Sequence, residues 1–297
     1  MKDIKKFKGT GVAIVTPFKN DMSIDFAALG RVVNHVINGG VNYIVVMGTT
    51  GESVTLTKDE KKAIISYVVE VTDNRVPIVI GIGGNSTQEV INCVRQSNLT
   101  GVDGILSVAP YYNKPNQKGL FLHFKAIATC SPVPVIMYNV PGRTCSNISA
   151  DTCIELANEC ENIVAIKEAS GDITQIMKIM KGKPDNFSVI SGDDMMTIPI
   201  IALGGSGIIS VLANAFPAAT SELVSNALKS NYKSAREVQL RYLEIIELLF
   251  IDGNPSGVKA ILSTMNICQN NLRLPLVPVN RTIYTRIQKA IEEVTKN

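Results

Sequence analysis

Residues 163–168 read Ile163-Val164-Ala165-Ile166-Lys167-Glu168. Four apolar residues, three of them β-branched, are closed by a lysine. The run is too short for an amphipathic helix and shows no polar alternation. It therefore reads as a strand covered on both faces, as in a parallel sheet packed between helices. Similar runs occupy 12–16, 43–47, 78–81, 104–108, 135–139, 188–191 and 207–211. The spacing from each run to the next is close to the length of one βα unit.

The segments between the runs carry helix-start chemistry. Thr57-Lys58-Asp59-Glu60 and Ser86-Thr87-Gln88-Glu89 both match the capping box, in which two side chains satisfy each other's free backbone donors. Apolar residues at helical spacing follow each, with Ile64, Tyr67, Val68 and Val71 after the first and Val90, Ile91 and Val94 after the second. Gly204-Gly205-Ser206-Gly207 precedes the last run, so it reads as a helix-to-strand turn and not as a phosphate cradle. Eight βα units in series favour a closed barrel over an open doubly wound sheet. The expectation is an α/β chain, a TIM (β/α)8 barrel domain over 1–230 with a small helical C-terminal domain over 231–297. Helices are expected there at 234–250, 256–265 and 281–295.

Bulk properties narrow the function. The chain has 297 residues, 45% of them hydrophobic, and a formal net charge of only +3, which disfavours a nucleic-acid partner. No apolar run reaches the roughly 18 residues of a membrane span, and the N-terminus lacks a secretory apolar region. Lys2, Lys5, Lys6 and Lys8 suggest a solvated basic arm. Six cysteines without a Cys-x-x-Cys pair read as reduced, mostly buried thiols of a cytoplasmic protein. With only His35 and His123 available, no metal site is expected.

In such a barrel, chemistry sits at the C-terminal ends of the strands. Lys167 is one of 20 lysines, and it closes an apolar run where most others lie on polar faces. An amine in a low-dielectric mouth loses its proton readily and becomes a nucleophile toward a carbonyl. The alternative is a structural lysine paired with Glu168. Residues 48–53, Gly-Thr-Thr-Gly-Glu-Ser, combine glycines and hydroxyls suited to a small carboxylate, or form a simple turn. Tyr138 ends the fifth run, as a proton relay held by Thr49 or as a packed ring. Arg143 follows a Pro-Gly turn on the same face, as a carboxylate clamp or a surface ion pair. Tyr111 and Tyr112 fit an interface or a proton path.

GTTGES (48–53), PYYNKP (110–115), YNVPGRT (138–144), IKEASG (166–171) and SGDD (191–194) follow the order and spacing of the dihydrodipicolinate synthase family. The chain resembles that family, one of the pyruvate-dependent class I aldolases, over essentially its whole length. The resemblance implies that Lys167 forms a Schiff base with pyruvate. Tyr138, Thr49 and Tyr112 match a proton-relay triad, with the Tyr112 counterpart reaching in from a neighbouring subunit. Thr50 would bind the pyruvate carboxylate, and Ile209 would line that pocket. Arg143 would hold the carboxylate of L-aspartate 4-semialdehyde and help position Tyr138. No metal or organic cofactor is implied, and the assembly would be a homotetramer of tight dimers.

Ser53, Asn85, Glu89 and Tyr111 match the site at which lysine inhibits some members of that family. Lys58 and Lys61 stand where sensitive members often carry histidines. Fixed positive charge there would repel the ammonium groups of lysine, leaving a vestigial site. N-acetylneuraminate lyase and 2-keto-3-deoxy-sugar-acid aldolases share the barrel and the lysine and form the alternative. Arg143, within Gly142-Arg143-Thr144, favours the synthase. A non-catalytic binder of 2-oxo acids would be expected to lack Lys167, Tyr138 or Thr49, and all three are present.

Overall fold

The computed structural model describes residues 4–296. Eight strands alternate with helices: β1 (Gly9–Ala13), β2 (Tyr43–Val46), β3 (Ile78–Gly81), β4 (Gly104–Val108), β5 (Val135–Asn139), β6 (Ile163–Glu168), β7 (Ser188–Ser191) and β8 (Gly207–Ser210). All neighbours are parallel, and β8 returns to β1 to close the barrel. Side chains alternate as period two demands. Val45, Val79, Leu106 and Ile136 point into the barrel, while Ile44, Ile80, Ile105 and Met137 pack outward against the helices. The open-sheet alternative is thereby set aside.

β1 lies at 9–13 and not at 12–16. Closure of the ring decides this. Gly11 pairs with Tyr43 on one side and Ile209 on the other, and the Tyr43 ring occupies the space beside it. A Cβ on Gly11 would lie 2.2 Å from that ring, so the strand must present a glycine there. Beyond Ala13 the Ile14 N–H still reaches Val45 O at 3.0 Å. Asn214 Oδ1 then accepts from Val15 N at 3.1 Å, and Thr16 Oγ1 donates to Gly51 O at 2.7 Å. The apolar stretch after Ala13 is a buried loop whose backbone is satisfied partly by side chains.

The basic N-terminal stretch is no solvated arm. Residues Ile4–Phe7 form a short 3-10 turn that carries Phe7, only 1% exposed, beneath the barrel. Its ring meets Tyr43 edge-on at 5.8 Å between centroids, and Lys6 Nζ pairs with Asp103 Oδ1 at 2.7 Å. β4 begins with Gly104, which leaves room for the Phe7 ring: a Cβ there would approach it to 2.9 Å. Lys2 lies outside the described residues.

Thr57 forms the full reciprocal box at the start of Lys58–Thr72, whereas at Ser86 the hydroxyl accepts from Glu89 N at 3.4 Å. The helix expected over 234–250 is two, Tyr232–Arg241 and Leu243–Phe250. The chain turns between them at Tyr242, whose ring packs 5.0 Å from Phe216. Helices Ser256–Thr264 and Arg281–Thr295 follow. Ile245, Leu249, Ile261 and Ile287 from these segments join the same core as the outer barrel face. All six cysteines are free: Cys153, Cys160 and Cys268 are buried, and Cys93 and Cys145 are exposed. Among the described residues no helix is long and apolar enough to cross a membrane.

Phe7→Ala should cost about 3–5 kcal/mol of stability in urea denaturation, because it empties a closed, well-packed site. Lys8→Ala, at an exposed position one residue away, should change stability by less than about 0.5 kcal/mol.

Candidate active site

Adjacent strands bring the two central groups together. In the β5–β6 register Tyr138 stands opposite Lys167, and both side chains point inward at the C-terminal end of the barrel. Lys167 Nζ lies 4.4 Å from the centre of the Tyr138 ring. Lys167 is 5% exposed, and among the described residues no carboxylate forms an ion pair with it. Glu168 faces the other side of the sheet. It accepts from Ser170 N at 2.7 Å, from Asn139 Nδ2 at 3.1 Å and from Gln175 Nε2 at 3.2 Å. The reading of Lys167 as a structural partner of Glu168 therefore fails.

Burial holds the Lys167 amine down at about 8, against an ordinary 10.5; Asp194 pulls it up and Arg143 pushes it further down. The sign matters for the fold as well. Between these two values the folded chain binds fewer protons than the unfolded chain, so stability rises with pH across that window. Below about 8 the buried ammonium costs on the order of 3 kcal/mol. Room for the lysine stem comes from Gly192 after β7, where a Cβ would lie 2.9 Å from Lys167 Cε. Asp194 is buried and ties the ends of β7 and β8 together. It accepts from Ser210 Oγ at 2.5 Å and from Val211 N at 2.9 Å.

Around this pair the loops supply polar groups. The Tyr138 phenol is pushed up by burial, while Arg143 and a hydrogen bond with the Thr49 hydroxyl act the other way. Thr50 is buried, and its Oγ1 accepts from Asn254 Nδ2 at 3.0 Å. Arg143 stands exposed on the short turn Pro141–Thr144. The Thr144 hydroxyl braces that turn against Val140 O at 3.2 Å and Ser146 O at 2.9 Å. These groups border a cavity of about 560 Å³ lined by Thr49, Thr50, Tyr138, Arg143, Lys167 and Asp193. Ile246, Phe250 and Asn254 close its far wall from the C-terminal segment.

Other expected residues stand elsewhere. Ile209 is fully buried inside the barrel and does not line the cavity. Tyr112 is 83% exposed and holds a left-handed backbone at φ 72, outside the cavity of its own chain. Ser53, Asn85, Glu89 and Tyr111 occupy the loops and helix starts after β2, β3 and β4, away from the cavity lining. Gly192, Asp194, Asn254 and Glu52 carry no local sequence signal of the places they take here. SGDD is visible as a motif, but which of its carboxylates is buried depends on how β7 meets β8. Lys259, fully buried in the apolar helix Ser256–Thr264, carried the same signal as Lys167: a lysine in an apolar run.

A model of the dihydrodipicolinate synthetase family matches residues 6–294. The chain is 49% identical over 295 residues to the 4-hydroxy-tetrahydrodipicolinate synthase of Parabacteroides distasonis, covering 99% of each chain. It is 47% identical to that of Flavobacterium psychrophilum, covering 99% of this chain and 100% of the other. The crystal structure of dihydrodipicolinate synthase from Aquifex aeolicus superposes with a TM-score of 0.94 at 40% identity, covering 97% and 98% of the two chains.

An amine that titrates near 8 is about one-tenth neutral at pH 7, roughly three-hundredfold more than an ordinary lysine. The rate at which this protein captures a 2-oxo acid as an imine, followed by reductive trapping and mass spectrometry, should rise from pH 6 and level off above about 9. A rate still climbing at pH 10 would mean that burial has not shifted the amine.

Proposed function

The chain belongs to the dihydrodipicolinate synthetase family, and from that premise we propose that it condenses pyruvate with L-aspartate 4-semialdehyde. The product is 4-hydroxy-tetrahydrodipicolinate, in the biosynthesis of diaminopimelate and lysine. The observation that carries the reading is the unpaired Lys167 amine, buried at the base of the cavity beside the Tyr138 ring.

The chemistry follows from that amine. Neutral Lys167 adds to the pyruvate ketone, and loss of water leaves a protonated imine. The imine nitrogen accepts electrons, so the methyl group becomes acidic and gives up a proton, leaving an enamine. The enamine carbon attacks the aldehyde carbon of the second substrate, whose oxygen takes a proton. The substrate amine then adds to the imine carbon and expels Lys167, closing the ring and freeing the enzyme. Tyr138 and Thr49, joined by their hydrogen bond, would pass these protons, with Tyr112 completing the path. Thr50 would hold the pyruvate carboxylate, with Ile209 packed in the barrel interior outside the cavity lining. Arg143 at the mouth would hold the carboxylate of the semialdehyde and so favour it over sugar aldehydes.

Tyr112 reaches away from its own cavity, which supports an assembly in which neighbouring chains exchange this side chain: a homotetramer of tight dimers. Free cysteines throughout suit a reduced, cytoplasmic setting. The vestigial lysine site would lie at the dimer interface, at Ser53, Asn85, Glu89 and Tyr111, under the charge of Lys58 and Lys61.

Lys167→Ala should abolish condensation and borohydride trapping of pyruvate, and Tyr112→Phe should lower kcat by about 10²-fold. After subunit exchange, mixing these two inactive proteins should restore partial activity, because a Lys167→Ala chain still lends its Tyr112 to a neighbour. Full activity of Lys167→Ala alone would refute the function, and no recovery on mixing would refute the shared site. In a separate assay, L-lysine at about 1 mM should leave the rate nearly unchanged; strong inhibition below that concentration would refute the charge argument.

A further inference from the structure

The loop at 48–53 must present the Thr49 and Thr50 hydroxyls in fixed directions, yet it contains Gly48 and Gly51, which by themselves leave the backbone free. Besides the Thr16 Oγ1 bond to Gly51 O, side chains more than 200 residues further along the chain bond to it. Glu52 stands two residues after Thr50 in a left-handed backbone at φ 52, and its carboxylate points inward. Lys259 Nζ pairs with Glu52 Oε1, both side chains being 0% exposed. The ammonium also donates to Asn271 O at 2.8 Å and rests 4.2 Å over the Phe18 ring. The second oxygen, Glu52 Oε2, accepts from Arg273 N at 3.1 Å. The Arg273 guanidinium forks onto Glu60 at 2.6 and 2.8 Å and donates to Thr55 O at 3.1 Å. Asn254 completes the set through its bond to Thr50 Oγ1.

A fully buried ion pair contributes little net stability compared with apolar residues of the same shape. What it supplies is direction, because two oxygens held between two donors fix the carboxylate and the backbone bearing it. Asn254 does the same for a hydroxyl. Thr50 Oγ1 accepts from the amide, so its own proton is free to point into the cavity. We propose that Lys259 is a positioning residue for pyruvate binding, acting with Asn254 to make the C-terminal segment the anchor of the loop at 48–53. This rests on the reading of Thr50 as the group that holds the pyruvate carboxylate. Lys259 touches no substrate. Its effect is on where the two threonine hydroxyls stand.

The test compares Lys259→Met and the double variant Glu52→Gln with Lys259→Met, which leaves no charge unpaired. Both are assayed well below their unfolding temperatures. In the folded double variant KM for pyruvate should rise about tenfold or more while KM for the semialdehyde stays within about twofold, since Arg143 sits on a separate, independently braced turn. A lesion of the fold at large would move both constants. The inference alone is overturned if the unsubstituted protein is active and the double variant keeps its pyruvate KM, if both KM values shift together, or if neither variant folds. An unsubstituted protein without condensation activity would overturn the function and this inference together.

Discussion

The arrangement depends on one amine held out of water without a counter-ion. Lys167 stands at the end of an apolar strand, and the nearby carboxylates are committed elsewhere: Glu168 to Asn139, Gln175 and Ser170, and Asp194 to Ser210 and Val211. A carboxylate within contact distance would hold the proton on the amine and silence it. The polar networks on either side therefore serve the site by keeping those negative charges occupied. Desolvation of the amine weakens the fold at neutral pH, and the closed, layered barrel offsets it.

Parallel strands in register make the chemistry compact. Because Tyr138 and Lys167 are direct neighbours across β5 and β6, no loop motion alters their spacing. The less rigid parts are the hydroxyls and the guanidinium on loops, and each is braced. Thr144 fixes the turn that bears Arg143, and Asn254 fixes Thr50. Glycine appears where bulk would collide with function. Gly192 clears the lysine stem, as Gly11 clears the Tyr43 ring.

The C-terminal segment is more than an appendage to the barrel. It gives the cavity its far wall through Ile246 and Phe250, and through Lys259 and Arg273 it grips the loop after β2. Its apolar faces merge with the outer barrel core, so the active end and the extension share one packing problem. Tyr112 represents the opposite case, a large ring left in solvent on a backbone that an L-residue adopts with difficulty. An exposed aromatic group kept in that conformation fits a role outside its own chain.

The sequence by itself determined the eightfold βα order, the strand ends that could carry chemistry, and Lys167 as a lysine closing an apolar strand. Those features are periodic or local, and apolar patterning and capping report them directly. Only the tertiary structure decided the rest. It set β1 three residues early because ring closure demands glycine beside Tyr43. It turned a basic N-terminal stretch into a plug because β4 starts with a glycine that leaves a hole. It also chose which charges pair: Glu52 with Lys259 rather than solvent, and Glu168 with amides rather than Lys167. Lys259 lies 207 residues from Glu52 in the chain, and no local pattern encodes a contact whose geometry depends on the whole ring being closed.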